Sequence, residues 1–218
     1  MKRKSFLLSC LVSFLMIASI NQANSQVLIS LLLGDKLNTE KLKFGLDGGV
    51  NFSTISNIDP SRYHVGFDLG FYFDILLKEN THWYLHTGVL VKSPMGSREL
   101  DPYSLNDIHL DSLFEGGSVE RQLRYFNVPI LARYKFKSGV YIEAGPMLGL
   151  LSKARDVFYA DVNEKEDLSY INEVRDQYNR IDAGIEAGIG YHVIKGTGYN
   201  LGVRYYAGMT EILKDNTG

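Results

Sequence analysis

The sequence predicts an all-β fold: a transmembrane antiparallel up-and-down β-barrel, eight-stranded in the full-length protein and about seven-stranded in this chain. Three observations predict it. Apolar residues alternate with polar residues or glycine through one segment after another. The connections alternate strictly between long polar stretches and very short turns. Within each segment one face carries large aliphatic and aromatic residues almost free of charge, and the other carries the charged residues and glycines.

Strict alternation separates two faces only in an extended strand, because successive side chains of a strand point to opposite sides. In Arg180 to His192 one face is Ile181, Ala183, Ile185, Ala187, Ile189 and Tyr191, and the other begins Asp182, Gly184, Glu186, Gly188. The same split recurs in Tyr63 to Leu76, Val140 to Leu150 and Tyr199 to Thr210. Lys41 to Phe52, Trp83 to Lys92 and Arg124 to Phe136 complete the set less regularly. Pro129 and Pro146 fall inside strands and mark bulges or poorly paired points.

The composition of the faces gives the sense of the barrel. A soluble exterior needs charge, whereas a lipid-facing exterior excludes it at about 2–4 kcal/mol per Arg or Lys at mid-membrane. The apolar face therefore points outward. Short turns near Lys78 to His82, Lys137 to Gly139 and Ile194 to Gly198 are expected in the periplasm. Long connections over Ser53 to Arg62, Pro94 to Leu123 and Ala154 to Tyr178 are expected outside the cell as polar loops. An aromatic girdle of Phe73, Trp83, Tyr134, Phe136, Tyr191 and Tyr199 lies beside the short turns.

The start of the chain reads as a secretory leader. Lys2, Arg3 and Lys4 precede an apolar run from Phe6 to Ile20, and Ala23 and Ser25 stand at the small-residue positions before Gln26. Residues 1–25 are the expected signal peptide, 26–40 a periplasmic N-terminal segment and 41–218 an outer-membrane barrel domain. The single cysteine, Cys10, lies in the leader, so the mature chain offers no disulfide, zinc-thiolate site or cysteine nucleophile. A formal net charge of -2 gives no basic footprint for nucleic acid. No helical membrane span follows the leader.

Seven is an odd number, and single-chain bacterial barrels use even ones. An open edge in lipid leaves backbone groups unsatisfied. Two accounts are open: an eighth strand beyond Gly218 is missing, with Lys214 to Gly218 beginning a further external loop, or Val27 to Leu33 pairs into the barrel. The apolar run Val27 to Leu33 also reads as a short helix at the periplasmic mouth or a docking segment.

On the inward face lie Lys43, Asp47, Asp68, Asp74, His86, Lys92, Arg133, Glu143, Asp182, Glu186 and Arg204. An eight-stranded barrel is just wide enough inside for side chains to fill it, and charges there must be paired. The expected arrangement is a structural ion-pair plug built from Asp68, Arg133, Glu143, Asp182, Glu186 and Arg204. The competing readings are a narrow solute path, and acid–base chemistry by Glu143 and Glu186, which needs a substrate cleft. Asp101, Asp107, His109 and Asp111 form a solvated loop, and the alternate spacing of Asp107, His109 and Asp111 is a weak cation-site signal. Ser169 to Asn179 has room for a helical turn with Ile171 and Val174 on one side. No catalytic motif, cofactor fingerprint or phosphate-binding glycine loop is present.

The text YFNVPILARYKF, VYIEAGPMLGLLSKA, IDAGIEAGIGYHV and YNLGVRYYAGMTEIL, with the opening QVLISLLLGDKLNTEKLKFGLDGGVNFSTI, resembles the small outer-membrane β-barrel family of Bacteroidetes often labelled PorT-like. The likeness covers most of the mature chain and is weakest in the long connections. It implies an eight-stranded outer-membrane barrel of a Gram-negative, porin-like type, with no catalytic residues to carry over. One branch of that family assists protein secretion across the outer membrane. The expected roles are thus a non-enzymatic structural or interaction barrel set in outer-membrane lipid and presenting external loops to protein partners, a narrow passive channel, or a secretion accessory.

Overall fold

A computed structural model describes residues 38–55, 62–79, 81–161, 168–193 and 199–214. The expected signal peptide, the segment Val27 to Leu33, the turn at Ile194 to Gly198 and most of the connection Ser53 to Arg62 lie outside the described residues.

The alternating segments form strands β1 (Leu42–Ser53), β2 (Arg62–Leu76), β3 (Trp83–Leu100), β4 (Ser118–Lys135), β5 (Val140–Ala160), β6 (Leu168–Glu173), β7 (Ile181–His192) and β8 (Asn200–Gly208). A short helix, α1 (Ile108–Leu113), lies between β3 and β4, and a 3-10 turn at Arg175–Gln177 follows β6. The strands run up and down in one antiparallel sheet of order β1-β2-β3-β4-β5-β7-β8, and β6 pairs with the far half of β5. The sheet curls into a half-barrel. Its edge strands β1 and β8 are joined by side chains across the interior: Arg204 Nη1 donates to Asp47 Oδ2 at 2.8 Å.

The wall has its apolar face outward. Leu201, Val203 and Tyr205 on β8 are 79, 75 and 74% exposed. On β7, Ile181, Ile185 and Ile189 are exposed while Asp182 and Glu186 are buried. Burial of charge beneath a greasy exterior reverses the arrangement of soluble proteins. It is stable where the exterior meets acyl chains, which accept apolar side chains and exclude charge.

Two local features shape the strands. The tight β4–β5 turn closes on Gly139, whose φ of 92° suits glycine, and its N–H donates to the Phe136 carbonyl at 3.0 Å. Pro146 breaks the β4–β5 ladder without moving it: pairing stops at Pro129↔Met147 and resumes in register at Ala132↔Ala144.

Strand length departs from the expectation. Pro94 to Leu123 and Ala154 to Tyr178 are not polar loop throughout: both are flanked by strand that extends well into them. β3 runs on to Leu100, β4 begins at Ser118, and β5 continues to Ala160 with β6 beside it. The far ends of β3, β4, β5 and β6 form a cap with its own core. Leu100, Phe114, Val119, Phe158 and Ala160 pack together with Leu105, Leu110 and Leu168 against them. Below it a second cluster of Ile55, Leu123, Tyr125, Leu151, Ala154, Val174 and Tyr178 fills the mouth of the barrel on the cap side. Ser169 to Asn179 does hold a helical turn, the 3-10 turn at Arg175–Gln177, but Ile171 and Val174 do not share a side. Ile171 lies on β6 and is exposed, whereas Val174 is buried in the mouth cluster.

Glycines on the inner face make recesses for tyrosines. A Cβ at Gly45 would lie 2.6 Å from the Tyr72 ring, whereas one at Gly49 on the same strand would meet nothing within 4 Å. Gly45→Val is expected to destabilise the barrel by about 1–3 kcal/mol, and Gly49→Ala to leave it nearly unchanged. Urea unfolding followed by Trp83 fluorescence measures both; equal midpoints for the two variants would contradict the recess account.

Candidate functional site

The inner face is organised in layers. The layer nearest the short turns holds an ion network. Asp74 on β2 and His86 on β3 are direct cross-strand partners, and His86 Nδ1 lies 2.7 Å from Asp74 Oδ1. Arg133 on β4 and Glu143 on β5 are likewise opposite each other. The Arg133 guanidinium bridges both carboxylates: Nε donates to Glu143 Oε2 at 2.7 Å, and Nη1 donates to Asp74 Oδ1 and Oδ2 at 3.0 and 2.9 Å. Arg133 is 1% exposed and stacks over the Tyr141 ring at 4.4 Å.

Arg204 on β8 completes the network from the opposite wall. Its Nε donates to Glu143 Oε1 at 2.7 Å, and its Nη1 to Asp47 on β1. Its Nη2 lies 2.9 Å from His86 Nε2. A guanidinium only donates, so His86 Nε2 accepts and its Nδ1–H faces Asp74. Lys135 Nζ is a third partner of Asp74, at 2.7 Å. Three cations, Arg133, Lys135 and Arg204, thus face three carboxylates, Asp47, Asp74 and Glu143.

The six residues expected to form one plug divide between layers. Arg133, Glu143 and Arg204 share the network, and Glu186 reaches it only at 3.9 Å from Arg204 Nε. Asp68 and Asp182 lie in the next layer and bond neutral groups instead. Asn51 Nδ2 donates to Asp68 at 2.6 Å. The Tyr206 and Thr210 hydroxyls each donate to Asp182 at 2.8 Å. Asn127 donates to Ser93 at the same depth. Asp74 and His86 also belong to the network, and sequence reasoning placed them on the inner face without singling them out. Counting outward from the β2–β3 turn is the signal that pairs them.

Lys92 does not face inward. A bulge between Leu90 and Ser93 shifts the alternation by one, so Leu90, Ser93 and Ser97 are buried and Lys92 is exposed. Lys92 Nζ lies 5.7 Å over the outward ring of Phe67. Lys43 is exposed near the rim of short turns. The residues of the expected girdle sit at that rim: Trp83 opposes Tyr134 with ring centroids 5.0 Å apart, and Tyr134 meets Phe136 at 4.9 Å. Phe73 packs on Phe44, while Tyr191 and Tyr199 are exposed.

Of the two glutamates of the acid–base reading, both oxygens of Glu143 accept from guanidinium groups, whereas Glu186 Oε2 is buried with no hydrogen-bond partner among the described residues. In the cap, the loop acids serve local structure. Asp107 caps α1, accepting from His109 N–H and Leu110 N–H. Asp111 accepts from Ser104 and from Leu105 N–H, bonds that hold its carboxyl below the usual range. Among the described residues no group of three His, Cys, Asp or Glu side chains could hold a metal ion.

The cap has two polar clamps. Arg121 grips Asp156 through Nε at 2.8 Å and Nη2 at 2.6 Å. Tyr103 also donates to Asp156 at 3.0 Å, and burial, then the Asp156 charge, push its phenol up to about 12. Glu120 meets His64 Nδ1 at 3.0 Å and Arg98 Nε at 3.6 Å. The His64 hydrogen bond holds Glu120 below the ordinary glutamate range, against the effect of burial.

A half-barrel wall with its greasy face outward, a girdle at one rim and paired charge within defines a transmembrane β-barrel protein. No curated protein and no solved structure matches the chain significantly. The family model described as outer membrane protein beta-barrel domain matches residues 22–214. The chain belongs to that family, and it is an outer-membrane barrel protein.

Two predictions follow from the clamps and the network. Arg133→Met removes the one guanidinium that bridges two buried carboxylates and is expected to cost about 3–5 kcal/mol, read as a lower urea midpoint; an unchanged midpoint would remove Arg133 from the centre of the network. A depressed carboxylate stabilises above its unfolded value, near pH 4.3, and that stabilisation disappears as pH falls through its folded value. Amide exchange in the cap strands should therefore accelerate as pH falls below about 4.3 after correction for intrinsic rates. Glu120→Gln should flatten that dependence, and a pH profile identical to the parent's would contradict it.

Proposed function

We propose that the chain is a non-enzymatic structural or interaction barrel, exported by a leader over residues 1–25 that is cleaved. It sits in outer-membrane lipid and holds the β3–β6 cap outside the cell for protein partners. The observation that carries this reading is the occupied interior. The ion network fills one end and the apolar cluster of Leu123, Tyr125, Leu151 and Tyr178 fills the other. The cap is a recognition surface with a defined shape, because its stem is hydrogen-bonded strand and its helix packs on an apolar core.

Planar bilayers containing the full chain are expected to show no discrete conductance. Stable unitary pores would overturn this reading in favour of a narrow passive channel. One observation supports that second reading: the Arg204–Asp47 pair beside the edge strands is 23 and 24% exposed in its side chains. The two are separated by Arg204→Gln, which alters ion selectivity only if a path runs there. A secretion role rests on the resemblance to PorT-like proteins alone, and normal export in a deletion strain would exclude it.

A further inference from the structure

The outward face changes character abruptly between the wall and the cap. On β4 the outward positions run Tyr134, Ala132, Ile130, Val128 and Phe126, and then Arg124. On β5 they run Ile142, Ala144, Pro146, Leu148 and Leu150, and then, across a bulge, Lys153. Eight steps from Tyr134 to Phe126, at about 3.3 Å each and a tilt of about 40°, raise the wall by about 20 Å. Arg124 and Lys153 therefore stand where the apolar band of a barrel, about 25 Å tall, gives way to headgroups.

The two cations are direct cross-strand partners, and both are exposed. Like charges placed opposite each other on an antiparallel pair repel. Among the described residues, neither makes an ion pair or side-chain hydrogen bond. Neighbouring arginines differ: Arg121 is held by Asp156 and Arg155 by Gln122. Lys92 adds a third outward cation, two positions below Pro94, the β3 partner of Arg124. A repelling pair at the hydrocarbon boundary, with apolar rows directly beneath it, matches a molecule that has anionic oxygens at one end and acyl chains at the other.

We propose that Arg124 and Lys153 form a binding site for the phosphate-bearing headgroup of an outer-leaflet lipid, whose acyl chains lie along Phe126 and Leu150. The guanidinium fork of Arg124 takes two phosphate oxygens side by side, and Lys153 contributes a point charge. The site rests on the outward wall facing lipid, the same placement on which the proposed function stands.

The test uses the refolded full chain in neutral phosphatidylcholine vesicles, titrated with diphosphorylated lipid A and, separately, with its dephosphorylated form. The diphosphorylated lipid is expected to bind at least about tenfold more tightly. Arg124→Gln with Lys153→Gln should abolish that preference, while Lys137→Gln, at the opposite rim, should retain it. Either change removes surface charge only, and heat-modifiable mobility on gels verifies folding. A preference unaltered in the double variant overturns the site. Displacement of the lipid by millimolar inorganic phosphate also overturns it, since the ligand is then a soluble anion. Insertion without headgroup preference overturns the site alone, whereas failure to insert overturns both the site and the membrane placement.

Discussion

Arg133 stands between two carboxylates in the interior of a wall that faces lipid, and the rest of the barrel is arranged around that fact. A guanidinium cannot be neutralised by losing its proton, so it must be satisfied where it stands. Asp74 supplies that satisfaction from β2, two strands away, at 2.9 Å, and Glu143 from the neighbouring β5 at 2.7 Å. Each of those carboxylates then needs further donors. Asp74 finds them in His86 and Lys135, and Glu143 finds one in Arg204 on the far wall. Each bond is short because the interior has no room for a hydrated ion.

This arrangement replaces a hydrophobic core. In a soluble domain apolar burial drives compaction; here the large apolar side chains of the wall are on the outside, and the buried residues beneath them, Asp74, His86, Asn127, Arg133, Glu143, Asp182 and Glu186 among them, are mostly polar. The interior therefore contributes specificity of register more than bulk stabilisation. A one-residue slip of β4 against β5 would send Arg133 toward lipid and bring Tyr134 inward. The apolar cluster at the outer mouth is the exception, and it sits where the wall leaves the membrane and water becomes the competing solvent.

The fold was legible from the faces of the strands, because lipid on one side and a filled interior on the other enforce alternation in the text itself. Legibility stopped at the membrane boundary. In Glu120, Arg121 and Gln122 both faces are polar, so the period-two signal vanishes although the ladder continues to Ser118. Those residues read as loop and are strand. The bulge after Leu90 shows why Lys92 was misplaced: one extra residue reverses every later side chain, and nothing in the local sequence announces it. The interior network was legible as a set of charges but not as a graph. Which carboxylate meets which cation depends on Arg204 crossing from β8 to Asp47 on β1, a distance the sequence does not encode locally.

The unbroken passage of β3, β4 and β5 from membrane into cap makes the projection a cantilever rather than a tether. From Lys153 to Ala160, β5 climbs roughly 23 Å along its own axis at about 3.3 Å per residue, stiffened on both flanks by β4 and β6. A load applied to Ile108 or Leu113 at the tip is carried down backbone hydrogen bonds into the bilayer-spanning staves. A force on the strand ends of the cap is thereby transmitted to the wall of the half-barrel, and tilts it within the membrane as one body.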